Sequence, residues 1–200
     1  KKETEIENET EKNKIKHKNK KVKYSYAGRL DPMASGLMII LTNEHCLQQN
    51  NFHNLSKIYE FKIAIGLSTD TYDILGLITN YNITKYTNLN EDEIYKIKQS
   101  VLDNFQKTYS QQYPVYSSIR IDGKPLWYYA KNNLLENIKI PEKTITIDKL
   151  DYIDNKTISI EDYIKIVKYR INLIDSKYDF RQKPILEEYN NLNTNFKNNT

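Results

Sequence analysis

The stretch Tyr26–Leu41 reads YAGRLDPMASGLMIIL and places an acidic residue between two glycines, just ahead of an apolar run. Pro32 disfavours the helical region for the residue before it, so we expect Asp31 on a stiff, extended loop. Gly28 and Gly36 permit backbone angles that other residues resist. The residues alone leave two interpretations open: a carboxylate that stabilises a turn, or a fixed carboxylate suited to nucleophilic or electrostatic chemistry.

The composition bounds the class of protein. A chain of 200 residues is long enough for one domain with a core. Its 38% hydrophobic content and mean hydropathy of −0.75 are low, but 12% aromatic residues argue against a wholly disordered chain. The net charge of +4 suits a polyanionic partner without requiring one.

Several kinds of site and segment are excluded. A single cysteine, Cys46, cannot form an intramolecular disulfide. His17, His45 and His53 do not stand with it at the spacing of metal ligands, so the sequence predicts no metal site. No apolar run is long enough for a transmembrane helix.

The chain divides into three parts by composition. Residues 1–23 are charged and predicted to be a disordered tail or an insertion, with a basic arm that touches nucleic acid as the alternative. Residues 24–192 are predicted to be a single α+β domain, and residues 193–200 a disordered end.

Periodicity and turn signals predict the elements of that domain. Asp122-Gly123 predicts a hairpin turn. Strands are predicted at 36–43 (buried), 57–66 (half-buried), 143–153 and 163–174, and helices at 90–105, from about Pro125 and near Pro184.

The opening stretch resembles the catalytic motif of the TruB family of pseudouridine synthases, carried here by Gly28–Leu37 (GRLDPMASGL). Three further blocks resemble family blocks in the same order: KIYEF at 57–61, GLSTDTYDILG at 66–76, and QQYPVYSSIRIDGKPLWYYAK at 111–131. The resemblance covers Tyr24–Leu192. The opening Lys-Pro strand and the C-terminal RNA-binding domain of many members have no counterpart, so we expect either a fragment or a minimal enzyme.

The resemblance implies a fold and a reaction. The fold is α+β, with a mixed, largely antiparallel sheet flanked by helices. The reaction is the isomerisation of uridine to pseudouridine in RNA, most often the T-loop uridine of tRNA (position 55), without cofactor or metal. Asp31 is implied as the nucleophile, attacking either the sugar or the base, and Tyr59 as the residue that stacks on the flipped uracil and helps remove its C5 proton. Arg181, in the weaker match SKYDFRQ, is implied as the basic partner of Asp31.

The resemblance also implies an RNA partner and a surface that binds it. We expect a monomer without a membrane partner, inside the cell and in the cytoplasm, with the nucleus or an organelle as open alternatives. Two alternatives stay open: the same chemistry on ribosomal or messenger RNA, and a non-catalytic RNA-binding or RNA-folding protein on the same scaffold. The predicted RNA-binding residues are Tyr26, Arg29, Lys57, Asp70, Tyr116, Arg120 and Tyr129.

Overall fold

A computed structural model describes residues 21–83 and 88–198 of the chain. Residues 1–20, which hold most of the predicted tail, lie outside the described residues, as do 84–87 and 199–200. The chain divides into two compact units, a first unit of Lys1–Phe61 and a second unit of Lys62–Thr200.

The first unit is built on a short antiparallel ribbon. Strand β1 (Tyr24–Tyr26) pairs with β2 (Ile40–Thr42), so that Ser25 lies opposite Leu41. A 3₁₀ helix at Asn43–Gln48 and helix α1 (Gln49–His53) follow. The ribbon closes the loop 27–39, which carries most of the decisive stretch.

The apolar run after that loop is only partly a buried strand. The strand assignment covers Ile40–Thr42, and of the predicted segment 36–43 only Leu41 is buried. Leu37 is fully exposed. The prediction of a buried strand is therefore wrong for 36–39, because β1 offers only three residues as a pairing partner.

The predicted strand 57–66 is not observed. Residues 56–64 carry no strand assignment, and no described segment pairs with them. A strand needs a neighbour to accept and donate its backbone hydrogen bonds. Without one, the alternating apolar side chains stay in solvent; Ile58 is fully exposed.

In the part that the structure describes, the second unit contains three more antiparallel ribbons, four α-helices and a 3₁₀ helix. Helix α2 begins with a capping box, in which the Asn90 side chain accepts from the Glu93 N–H and the Glu93 carboxylate accepts from the Asn90 N–H. This confirms the helix predicted from Asn90. The elements are β3 (Leu67–Thr69) paired with β4 (Ile78–Tyr81), α2 (Glu91–Phe105), β5 (Thr108–Gln112) paired with β8 (Glu142–Thr146), β6 (Arg120–Ile121) paired with β7 (Lys124–Pro125), α3 (Leu126–Lys131), a 3₁₀ helix at Leu135–Asn137, α4 (Ile160–Asn172) and α5 (Gln182–Asn198).

The predicted hairpin turn and the helix after it are confirmed. Asp122 and Gly123 both have positive φ (+47° and +80°), the conformation that a two-residue turn between paired strands favours. Pro125 stands at the N-cap of α3, which runs from Leu126.

The prediction of a strand at 163–174 is wrong, because this segment forms most of helix α4. The Ser159 side chain caps the helix by accepting from the Asp162 N–H at 3.1 Å. Ile164, Val167 and Ile171 recur at helical spacing and are buried. Their burial, rather than strand pairing, accounts for the apolar pattern.

The core of the second unit lies where α4 and α5 pack together, as their paired contacts show. Tyr163 of α4 and Tyr189 of α5 place their ring centres 6.3 Å apart. The α+β class is confirmed; within the described residues the strands form four separate two-stranded antiparallel ribbons, and a single mixed sheet stays a prediction. None of the described helices combines the length and apolarity needed to span a bilayer. The buried apolar residues of the second unit are Leu75, Leu126, Ile164, Val167, Ile171, Ile185, Tyr189 and Leu192.

Candidate active site

Asp31 occupies the first position of a tight turn in the loop of the first unit. The Ala34 N–H donates to the Asp31 carbonyl at 2.9 Å, which closes the turn Asp31–Ala34. Pro32 takes the second position, where its fixed φ suits a β-turn. The residue is exposed. The turn therefore holds the backbone while the carboxylate stays open to a ligand.

Tyr26 and Arg29 form a second exposed feature of the same loop. The Arg29 Nε donates to the Tyr26 hydroxyl at 2.7 Å, and the guanidinium carbon lies 5.2 Å from the ring centre. The Tyr26 carbonyl accepts from the Gln49 Nε2 at 2.7 Å, which ties the pair to α1. Two of the predicted RNA-binding residues are thus brought together as an aromatic ring with a cation.

Lys57 and Tyr59 follow α1. The Lys57 ammonium donates to the carbonyls of His53 at 2.6 Å and Leu55 at 2.5 Å, so it satisfies acceptors at the end of the helix. One of the three ammonium hydrogens stays available for a phosphate. The Tyr59 side chain is 76% exposed, which leaves its ring accessible for stacking.

The second unit brings three of the predicted residues into one ion-pair cluster. The Arg181 guanidinium donates to both carboxylate oxygens of Asp70, at 2.6 and 3.1 Å. It also donates to the Tyr116 hydroxyl at 2.9 Å and lies 4.0 Å from that ring centre. A two-point pair of this kind fixes both the position and the plane of the guanidinium.

The ion pair of this cluster is largely buried. The side chains of Arg181 and Asp70 are only 16% and 21% exposed. Burial lowers the pKa of Arg181, but the hydrogen bond and charge of Asp70 outweigh that effect, so the net pKa is raised. Burial also raises the pKa of Tyr116, opposed by the charge of Arg181 and reinforced by Asp70. The cluster therefore holds a permanent cation beside a neutral phenol.

The backbone on both sides supports the pair. Arg181 has a left-handed conformation (φ +62°), and its N–H donates to the Asp179 carboxylate at 3.2 Å. Asp179 also forms a salt bridge with Lys131 of α3. On the other side, the Leu77 N–H donates to the Asp70 carboxylate at 2.9 Å. The guanidinium is thus held by Asp70 and Tyr116, while Asp179 holds the backbone of Arg181.

The turn that presents Asp70 is held by residues of the block at 66–76, to which the sequence analysis assigned no individual structural role. Thr69 and Thr71 both donate their hydroxyls to Asp73, to its carbonyl and its carboxylate respectively, each at 2.7 Å. A Cβ on Gly76 would meet the Thr71 hydroxyl at 2.3 Å and the Asp70 carboxylate at 2.8 Å. The sequence signal for this turn is the Thr-Asp-Thr-x-Asp spacing of residues 69–73. Asp and Thr side chains commonly form hydrogen bonds with the backbone of a turn.

A residue that sequence reasoning missed is Glu188. Its carboxylate accepts from the Ile78 N–H at 2.6 Å, joining α5 to β4. No local pattern marks it, because the two residues are 110 positions apart.

Arg120 and Tyr129 form hydrogen bonds that stabilise the β6–β7 hairpin. The Arg120 guanidinium donates to the Gly123 carbonyl at 2.5 Å, and the Tyr129 hydroxyl donates to the Ile121 carbonyl at 3.0 Å. These contacts close the turn and tie it to α3. The predicted RNA contacts of both residues stay predictions.

The structure therefore assembles part of the predicted site within each unit. Asp70, Tyr116 and Arg181 form one cluster, and Tyr26 and Arg29 form another. The pairing of Arg181 with Asp31 stays a prediction; within its own unit Arg181 is paired with Asp70. Among the residues that the structure describes, no three His, Cys, Asp or Glu side chains are grouped to hold a metal ion.

Comparison with known proteins adds an independent finding. The family model described as TruB family pseudouridylate synthase (N terminal domain) matches residues 12–169, a range that includes Asp31, Tyr59, Asp70 and Tyr116 and ends before Arg181. A Malacoplasma penetrans protein named tRNA pseudouridine synthase B is 33% identical over 70% of this chain and 57% of its own length. Its namesake from Mesoplasma florum is 35% identical over 74% of this chain and 50% of its own length. The chain spans about half the length of these relatives.

Proposed function

Since the chain belongs to the TruB family of pseudouridylate synthases, we propose that it isomerises uridine to pseudouridine in RNA. Its substrate is tRNA, the molecule in the names of the relatives, and its target is the T-loop uridine. The observation that carries the proposal is Asp31, presented on a closed turn within the residues that the family model matches.

The reaction rearranges one nucleotide without adding or removing atoms. The N1–C1′ glycosidic bond breaks, the uracil turns, and C5 bonds to C1′. The C5 proton leaves and N1 gains a proton, so the product is an isomer. No oxidant or reductant is needed. The protein must supply a nucleophile, a base for the C5 proton and a site that holds the detached uracil while it turns.

Asp31 is the nucleophile in this proposal. Its carboxylate adds to either the sugar or the base and leaves again after the uracil has turned, so the enzyme is regenerated. The turn supports this role because it limits the backbone motion of Asp31 without covering its side chain. A positioned nucleophile needs less reorganisation at the moment of reaction.

Tyr59 holds the uracil and moves its proton. A phenol ring can stack on a base while its hydroxyl accepts a proton through its oxygen. The high exposure of Tyr59 supports this role, because a base that has left its helix needs an open ring face.

Arg181 supplies positive charge in this proposal. Asp70 and Tyr116 hold its guanidinium in one plane, and its raised pKa keeps it charged at any physiological pH. A preorganised cation stabilises negative charge on a carboxylate or on a phosphate beside the reacting nucleotide.

Tyr26 and Arg29 contact the RNA next to the target. The ring can stack on an unpaired base and the guanidinium can bind a phosphate, and both are exposed on the loop that carries Asp31. Phosphate contacts of this kind position an RNA without reading its sequence.

For residues 24–192 we propose the family's finer architecture, a mixed and largely antiparallel sheet flanked by helices. Family membership and the antiparallel pairing of the described strands support it. A crystal structure of the chain tests this, because strands of different ribbons should then be hydrogen-bonded to one another. Ribbons that stay separate would contradict the single sheet.

The reaction is tested with unmodified tRNA tritiated at uracil C5, because release of tritium reports loss of the C5 proton. We expect Asp31→Asn to lower release by at least about 10³-fold, as for loss of an enzymatic nucleophile. The matched control is Asp148→Asn, an exposed aspartate of the second unit, which should release tritium at the wild-type rate.

Two results would contradict the synthase function: equal release by the wild type and Asp31→Asn, or no release by a folded wild type at ample enzyme. RNA binding without release would instead identify the non-catalytic alternative. Mapping pseudouridine in total RNA then separates tRNA from ribosomal and messenger targets.

A further inference from the structure

A cleft of about 500 Å³ lies in the second unit, apart from the Asp70–Arg181 cluster. We call it the α2 cleft. Its volume falls within the range of small-ligand sites in proteins. It is lined by Glu91, Ile94, Tyr95, Lys98, Tyr152 and Asn155.

One face of helix α2 forms one wall. Glu91, Ile94, Tyr95 and Lys98 stand at positions i, i+3, i+4 and i+7, which share a side of a helix. Such a stripe usually packs into a core, yet here it faces the cleft, and Tyr95 is 60% exposed. The opposite wall comes from Tyr152 and Asn155, in the segment between β8 and α4.

Two aromatic rings and a cation converge in the cleft. The Lys98 ammonium lies 4.7 Å from the ring centre of Tyr152, and no described carboxylate lies within salt-bridge distance of it. An ammonium without an anionic partner favours a phosphate. The rings offer stacking surfaces that suit any flat base.

Polar groups in the cleft add a hydrogen-bonding pattern. The Tyr152 hydroxyl donates to the Asn155 side-chain oxygen, so the amide nitrogen of Asn155 keeps both of its hydrogens for a ligand. Across the described residues, no hydrogen bond or ion pair engages the Glu91 carboxylate. The cleft thus presents an acceptor, a donor, a cation and two rings.

We propose that the α2 cleft binds a guanine nucleotide. The Watson–Crick edge of guanine carries two adjacent donors, N1–H and N2–H, and one acceptor, O6. A carboxylate can accept from both donors while the Asn155 amide donates to O6, with the base against Tyr95 and the phosphate at Lys98. Uracil, cytosine and adenine lack two adjacent donors on that edge.

This nucleotide can be free or part of an RNA. If it is an unpaired guanine of the substrate, the inference rests on the proposed function, and the cleft binds a second nucleotide of that RNA. If it is free, the cleft is an independent nucleotide site. Both sources share one chemistry, and the experiment separates them.

The first arm measures binding of 5′-GMP to the full chain by calorimetry, with AMP, CMP and UMP for comparison. We expect GMP to bind at least about tenfold more tightly than the other three, and Tyr95→Ala to weaken it about tenfold, as for loss of a stacking ring. Glu91→Gln should remove the preference for GMP. It leaves the capping box of Asn90 and Glu93 intact.

Two matched controls separate the cleft from general effects. Tyr169→Ala removes an exposed tyrosine of α4 (67% exposed), and Asp92→Asn removes an acid from the same helical turn that does not line the cleft. Both should bind GMP as the wild type does. Circular dichroism of every variant verifies folding.

The second arm measures anisotropy of a labelled uridine heptamer with one central guanine, against the all-uridine heptamer. Tighter binding of the guanine strand that Tyr95→Ala abolishes supports an RNA ligand, and GMP binding without that difference supports a free nucleotide. GMP binding no stronger than that of UMP, or unchanged in both cleft variants, overturns the proposal. Tritium release tests the proposed synthase activity separately, because binding of GMP in the α2 cleft does not depend on Asp31.

Discussion

Arg181 adopts a left-handed backbone conformation (φ +62°) that costs a residue with a side chain about 1–3 kcal/mol. The surrounding contacts offset this cost: its N–H binds Asp179, and its guanidinium binds Asp70 and Tyr116. The conformation turns the chain so that α5 can begin at Gln182 while the side chain points into the cluster. The strained backbone of Arg181 is retained because it directs the guanidinium toward Asp70.

Gly76 provides a test of the turn that carries Asp70. Replacing Gly76 by Ala would place a Cβ 2.3 Å from the Thr71 hydroxyl and 2.8 Å from the Thr69 Cβ, so the turn must shift. We expect the free energy of unfolding to fall by about 1–3 kcal/mol, the usual cost of overpacking. Urea denaturation followed by circular dichroism measures the change.

The matched control is Gly36→Ala in the first unit. Its added Cβ would lie 3.6 Å from the Leu30 side chain, an ordinary contact, and we expect a change within about 0.5 kcal/mol. Equal stability of the two variants would show that the turn around Gly76 has room for a methyl group.

At the scale of elements, local signals decide where the helices begin. Asn90 caps α2 and Ser159 caps α4, and in each helix the first turn carries acids, which interact favourably with the helix N-terminus. The strands follow a different rule, since each needs a partner from elsewhere in the chain. That difference explains why the helix from Asn90 was predicted correctly and the strand at 57–66 was not.

The N-cap of α2 provides a testable prediction about this element. Asn90→Ala removes the acceptor for the Glu93 N–H, and we expect the free energy of unfolding to fall by about 1 kcal/mol. The control is Asn88→Ala, two residues earlier in a turn and exposed. Urea unfolding of both variants measures the difference; a loss as large for Asn88→Ala would show that the cap is not the cause.

At the scale of the whole molecule, buried tyrosines link stability to pH. Burial raises the pKa of Tyr189 and of Tyr163, which pack together between α4 and α5. In the unfolded chain a tyrosine loses its proton near the ordinary pKa of 10.0, whereas the raised pKa values of these two keep their protons bound to a higher pH in the folded state. Above that pH the unfolded state binds fewer protons, so the free energy of unfolding falls as pH rises.

We therefore expect stability to be unaffected by these groups below pH 10 and to decline above it, by up to about 1.4 kcal/mol per pH unit for each tyrosine. Tyr189→Phe should remove one such contribution from the slope. Tyr169→Phe, at a tyrosine 67% exposed, should leave the slope unchanged. Urea unfolding at pH 8, 10 and 11 compares the three proteins, and identical slopes would contradict the assignment to Tyr189.

The sequence by itself determined the features that depend on neighbouring residues. The capped start of α2, the Asp122-Gly123 turn and the helix after Pro125 follow from contacts within a few positions. The α+β class and the family stretch around Asp31 were also readable, because residue types and spacing carry them.

Only the tertiary structure decided which distant surfaces meet. Arg181 pairs with Asp70 across 111 positions, and the apolar pattern of 163–174 is a helix face because α5 covers it. The same pattern can serve a strand or a helix until a partner buries it. Ion-pair partners and burial depend on the whole arrangement of the chain, and no local stretch contains that information.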